Sequence, residues 1–96
     1  MDQSLIETFH GVGRLLAVTG EEIAPIRYEY RIDRKNRVWS GTAVRTDISG
    51  PLPVAAGPGQ LETDRGERAP VHFRHRRDGD GNVIIVFTGR GAPPGE

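Results

Sequence analysis

From Ile26 to Asp33 the chain alternates without a break, with Ile26, Tyr28, Tyr30 and Ile32 in one phase and Arg27, Glu29, Arg31 and Asp33 in the other. A period of two places the first set on one face of a strand and the second on the opposite face, so the pattern predicts a half-buried β-strand. Further strands are expected at about Ser4 to His10, Gly13 to Val18, Val38 to Ile48, Gln60 to Asp64, Ala69 to Arg77 and Val83 to Thr88. Between them lie turn signals at Thr19-Gly20-Glu21, Asp33 to Arg37, Asp64-Arg65-Gly66 and Asp78 to Asn82, at the spacing of hairpins. No segment carries the stripe of an amphipathic helix. This rhythm predicts an all-β fold, a small antiparallel barrel or sandwich of six to seven strands.

The two halves of the chain also resemble each other. Gly13 and Leu15 fall on Gly59 and Leu61, Gly20-Glu21 on Gly66-Glu67, and Ala24-Pro25-Ile26-Arg27-Tyr28 on Ala69-Pro70-Val71-His72-Phe73. Arg31, Asp33 and Val38 then fall on Arg76, Asp78 and Val83, with one extra residue in the first half near Glu22-Ile23 that a β-bulge would absorb. The expectation is a pseudo-twofold domain over residues 1–88, built of three-stranded units at about 13–48 and 59–88 joined by a connector at 50–59. The segment 89–96, Gly-Arg-Gly-Ala-Pro-Pro-Gly-Glu, is expected to bury almost nothing and to form a flexible tail.

One strand breaks the alternation. Val83-Ile84-Ile85-Val86-Phe87 is apolar in both phases, so something must cover its second face. A central position under the connector would do so, and so would a homodimer interface through Val83, Ile85 and Phe87. Trp39, the sole tryptophan, shares a phase with Gly41 and Ala43 and either plugs one end of the barrel or helps to form a shallow pocket.

Composition narrows the function classes. A chain of 96 residues supports one core, and its 13 basic and 13 acidic residues cancel, so no net field draws it to nucleic acid or to an anionic membrane. The absence of cysteine removes disulfides, thiolate metal sites and a cysteine nucleophile. The opening Met1-Asp2-Gln3-Ser4 lacks the basic-then-apolar signature of a leader, and a cytoplasmic location is expected.

Each chemical motif competes with a structural explanation. Asp78-Gly79-Asp80-Gly81-Asn82 spaces three oxygen side chains like the first ligands of a calcium loop, but Val83 and Gly89 stand where that loop needs glycine and glutamate. A tight turn explains the same residues. His72 and His75 lie three apart on a predicted strand and so point to opposite faces, which makes His75 a core or rim histidine with a hydrogen-bond partner rather than a ligand. His72 to Arg77 is the one basic stretch, and Arg74, Arg76 and Arg77 are the candidate surface for an anion or an acidic partner. The repeat sets Glu29 in register with Arg74, so cross-strand pairs among Arg27, Glu29, Arg31, Arg74 and Arg76 would neutralise that face. Gly11-Val12-Gly13 precedes no helix that would hold a phosphate, and no serine sits in a nucleophile motif.

The Gly11-x-Gly13-x-Leu15 opening, the Tyr28 to Ile32 strand and the Leu61-Glu62-x-Asp64-x-Gly66 hairpin are together similar to short bacterial all-β proteins of no assigned activity, over about residues 11 to 91. The resemblance implies a fold and no reaction. The expected function is a non-enzymatic binding or protein-interaction module, meeting a second copy or another protein, without cofactor, metal or membrane. The alternative is a small-ligand or enzymatic barrel whose pocket is lined by Trp39, His75 and Tyr30 beneath the 50–59 connector as a lid. A third reading is nucleic-acid binding through the arginine strand.

Overall fold

The computed structural model describes residues 6–48, 52–53 and 56–96. Six strands, β1 (Ile6–Leu16), β2 (Glu22–Asp33), β3 (Val38–Arg45), β4 (Ala56–Glu62), β5 (Arg68–Arg77) and β6 (Val83–Gly89), pair antiparallel throughout. They close into a barrel in the order β1-β2-β3-β6-β5-β4. No helix occurs among the described residues.

The period-two pattern sets the core. On β2, Ala24, Ile26, Tyr28, Tyr30 and Ile32 are buried while Arg27, Glu29 and Arg31 are exposed. Leu15, Leu61, Val71, Phe73, Ile85 and Phe87 join them inside. Burying side chains of this size at roughly 1.5–3 kcal/mol each is the main force holding the barrel together.

Four sequence expectations are corrected. The two strands foreseen at Ser4 to His10 and Gly13 to Val18 are one, β1, which runs straight through Gly11-Val12-Gly13; Ser4 and Leu5 lie outside the described residues. These glycines are not a turn. A Cβ at Gly11 would stand 2.7 Å from the Tyr28 hydroxyl, and one at Gly13 would overlap the Glu62 carbonyl oxygen, so both keep the wall thin where a neighbour crosses it. The second correction is the connector: residues 56–59 belong to β4, and Leu52 is buried in the core, with residues 50, 51, 54 and 55 outside the described set. Third, segment 90–96 is seated against the barrel, with Pro94 buried.

The fourth concerns the arginine face. β2 and β5 share no ladder; Glu29 pairs with His10 and Thr42, and Arg74 with Ala56 and Val86. In this strand order β3 and β6 separate them on one side and β1 and β4 on the other, so the charges of β2 and β5 cannot neutralise each other.

The hairpins follow their turn chemistry. In β1–β2 the Gly20 amide donates to the Ala17 carbonyl (2.9 Å) and the Ala17 amide to Glu21 (2.8 Å); in β4–β5 Gly66 donates to Thr63 (2.9 Å) and Thr63 to Glu67 (2.8 Å). Gly20 (φ 94°) and Gly66 (φ 81°) take the left-handed conformation that ends such loops. The β1–β2 register slips between Leu15, opposite Ala24, and Leu16, opposite Glu22, so Ile23 is a bulge.

Candidate functional site

With the core filled by side chains, any binding site must be on the outside or at a barrel end. The pocket expected from Trp39, His75 and Tyr30 does not form. Trp39 and Tyr30 meet, with ring centroids 5.5 Å apart at 67°. His75 is elsewhere: it pairs with Ile85, which pairs with Ala43, four residues along β3 from Trp39 and so about 13 Å away. Its Nε2 accepts a hydrogen bond from the Leu52 amide (3.1 Å), the partner expected of a rim histidine.

Trp39 belongs to an aromatic cluster at one barrel end. Phe9 stacks on Tyr30 (5.1 Å, 20°), Tyr28 stacks on Tyr30 (5.9 Å, 25°) and Trp39 meets Phe87 edge-on (6.2 Å, 67°). Burial pushes the Tyr30 phenol up to about 12 and raises that of Tyr28, so both stay neutral at any physiological pH. At this end, among the described residues, β1 ladders to β2 through residues 6–13 and reaches β4 at Arg14, Leu15 and Leu16. Segment 90–96 lies there. The Arg90 amide donates to the Pro70 carbonyl (2.9 Å), and the Trp39 indole Nε1–H donates to the Gly91 carbonyl (2.9 Å). Glu96 accepts both terminal nitrogens of Arg34 (2.6 and 2.7 Å), whose Nε donates to Glu7 (2.7 Å). Arg34 therefore holds the Glu96 carboxyl below the usual carboxylate range.

A second feature is on the outer wall. A groove of about 380 Å³ runs across β1, β2, β3 and β6, with Val12, Val44 and Ile84 as apolar lining and His10, Arg27 and Glu29 as polar lining. Val12 is 53% and Val44 40% exposed. The interface expected through Val83, Ile85 and Phe87 is corrected here: Ile85 and Phe87 are buried in the core, and the other phase of β6, Ile84 and Val86, is half-buried on the outside. The apolar run mixed two phases, and the tyrosine phase of the neighbouring strands decides which faces inward.

The basic strip is intact on β5, where Arg74 and Arg76 are exposed beside Val86 and Ile84, while Arg77 donates to the Gly81 carbonyl (2.9 Å). Phe73 is buried, so no aromatic shares the surface with these arginines. The Asp78 loop is a closed turn: its carboxylate accepts the Asp80 and Asn82 amides (2.9 Å each), and those amides draw its pKa down, Asn82 foremost. Among the described residues no three His, Cys, Asp or Glu side chains cluster as metal ligands would.

Glu62 is a buried carboxylate that sequence reasoning passed over. It accepts Arg68 Nε (2.8 Å) and Arg14 Nε (2.6 Å), which hold its pKa down, and so ties β1 to β4 and β5 at the barrel seam. The signal available was Leu61-Glu62, where an acid stands beside a core position. Arg34 and Glu96 had no such signal, because their pairing depends on where the 90–96 segment crosses the barrel. No helix among the described residues is long and apolar enough to cross a membrane. No family model matches the chain, and neither a curated protein nor a solved structure matches it.

Proposed function

We propose that this chain is a non-enzymatic binding module that associates with a second copy of itself through the outer face of β3 and β6, working in the cytoplasm without need of disulfides. The observation that carries the reading is the outward phase of β6: Ile84 and Val86 are half-buried apolar residues, and Ile84 shares one groove with Val12 and Val44. A face of this kind is better covered than left in water. Arg27 and Glu29 supply both signs of charge at its border, and a chain of zero net charge meets its own copy without long-range repulsion.

The test is solution mass by light scattering on the wild type, Ile84→Asp and Ile85→Asp. The wild type is expected near twice the 10.5 kDa of one chain, Ile84→Asp as a folded monomer, and Ile85→Asp unfolded because it puts a charge into the core. A monomeric wild type, or an Ile84→Asp variant that still dimerises, sinks the reading.

We infer as well that the barrel is two like units about a pseudo-twofold axis. Matching the halves carries the pair Arg14·Glu62 onto Gln60·Leu16 and the pair Ser40·Thr88 onto Ile85·Ala43, all of them paired in the barrel. It also carries the contact of Gly13 with the Glu62 carbonyl onto that of Gly59 with the Leu16 carbonyl.

A further inference from the structure

Segment 90–96 is held in a manner that does not depend on its being part of this chain. It donates few backbone hydrogen bonds, since Pro93 and Pro94 have no N–H, and it offers carbonyls and one carboxylate instead. The barrel end supplies the complement. The Trp39 indole donates to a carbonyl, Phe9, Tyr28, Tyr30 and Ile32 form an apolar floor beside Pro94, and Arg34 stands at the far end for a carboxylate. Pro93 to Glu96 form a tight turn on this floor, in which the Glu96 amide donates to the Pro93 carbonyl (3.1 Å) and Gly95 takes φ 81°, and a turn whose backbone is pre-set by proline loses little entropy when it binds.

The surroundings leave room for a longer ligand. On one side of the segment a groove of about 330 Å³ reaches the β4–β5 hairpin at Thr63, Asp64 and Glu67; on the other, one of about 250 Å³ lies against Val38, Trp39 and Arg37. The anchor at Glu96 is exchangeable, since Arg34 and Glu96 are each about two-fifths exposed (42% and 39%).

We propose that the aromatic end of the barrel is a binding groove for a proline-containing turn that carries a carboxylate, supplied by a partner protein, and that residues 91–96 occupy it as a competing ligand in cis. The groove adjoins the outer-wall groove at His10 and Tyr28 but uses none of Val12, Val44 and Ile84, so this inference does not rest on the chain dimerising there. Tethering gives the cis segment an effective concentration in the millimolar range, so a partner segment succeeds by binding more tightly or by filling the flanking grooves as well.

The sole tryptophan is the reporter. A synthetic peptide Gly-Arg-Gly-Ala-Pro-Pro-Gly-Glu, capped at both ends, is titrated into the full chain and into a triple variant, Pro93→Ser, Pro94→Ser and Glu96→Gln, in which the cis segment is weakened. The variant is expected to bind the peptide saturably with a change in Trp39 emission, at least about tenfold more tightly than the wild type. A peptide with both prolines replaced by alanine is expected not to bind, and adding Arg34→Gln to the variant should weaken binding several-fold. A cooperatively folding variant whose Trp39 emission ignores the peptide overturns the proposal. If the triple variant fails to fold, the wild type is followed at millimolar peptide through the Trp39 indole N–H in hydrogen–nitrogen correlation spectra. Shifts confined to that indole and the two grooves support the proposal, and an unmoved indole, or shifts centred on Val44 and Ile84, overturns it.

Discussion

Replacing Gly13 by alanine tests the closure of the barrel at its shortest seam. The β1–β4 ladder holds only Arg14·Glu62, Leu15·Leu61 and Leu16·Gln60. A Cβ at Gly13 would overlap the Glu62 carbonyl oxygen and stand 3.1 Å from the Glu62 carbonyl carbon and 3.2 Å from Tyr28 Cε2. A carbon and a carbonyl oxygen approach to about 3.3 Å, so β4 must retreat by more than about 1 Å or the seam must open. Overpacking of this kind costs about 1–3 kcal/mol, and loosening two ladder hydrogen bonds adds about 1 kcal/mol each, for a total of about 3–5 kcal/mol. For a domain of this size that is a fifth or more of the whole stability and lowers the melting temperature by at least about 12 °C. Gly59→Ala meets the Leu16 carbonyl at 2.6 Å and Phe73 at 3.0 Å and should cost nearly as much. Two controls separate sterics from backbone conformation. Gly66 has open space but φ 81°, so alanine there costs about 1–2 kcal/mol. Gly79 has open space and no positive φ, so alanine there is neutral within about 1 kcal/mol. Thermal unfolding followed by circular dichroism and by Trp39 emission reads all four. A Gly13→Ala protein that melts within a few degrees of Gly79→Ala would refute the reasoning, because β1 and β4 would then not be in contact at that point.

Two further outcomes concern charge. Glu62→Gln should lose about 1–2 kcal/mol at neutral pH, the low end for charge-assisted hydrogen bonds because Arg14 and Arg68 are 42% and 45% exposed. Since the folded pKa of Glu62 lies below its ordinary 4.5, its stabilisation is fully present above that value and fades as the pH falls through the folded pKa. Urea midpoints against pH should therefore fall on the acid side for the wild type and converge with those of the variant, and parallel curves would count against the seam carboxylate. Tyr30 acts at the other extreme. Its folded pKa of about 12 exceeds the ordinary 10.0, so its contribution is complete below pH 10 and is lost as the pH rises through 12. Tyrosinate absorbance and unfolding followed across that range should report a late, stability-linked titration, and an ordinary titration near 10 would show that the aromatic end is open to water.

Period and turn chemistry are local properties, and they were readable wherever they acted alone. The alternation at Ile26 to Ile32 named the buried phase of β2 before any neighbour was known, and Gly20 and Gly66 marked two hairpins of the same geometry. A bulge was expected near Glu22-Ile23, and the β1–β2 register slips at Ile23. What stayed hidden required knowing which strands are neighbours. Gly11 and Gly13 look like a break in the chain until Tyr28 and the Glu62 carbonyl are seen to occupy the space of their missing side chains. Glu29 and Arg74 match in sequence but sit on strands that other strands separate, so an expected ion-pair face dissolves and the arginines of β5 remain exposed. The phase of Val83 to Phe87 is undetermined by its own composition and is fixed only by the ladders to β3 and β5. The candidate site shows the same division most sharply. Of Trp39, His75 and Tyr30, expected together as the lining of one pocket, Trp39 and Tyr30 do meet, as two inward aromatics near the end of one hairpin must. His75 was grouped with them because the match between the halves sets it at the place of Tyr30, and it lies about 13 Å along the barrel, accepting the Leu52 amide. The segment expected to bury almost nothing supplies the hydrogen-bond acceptor for Trp39 and the carboxylate for Arg34. Composition measures how much apolar surface a segment carries, whereas a few carbonyls and one proline suffice when a barrel end presents a donor, an aromatic floor and a cation in line with them.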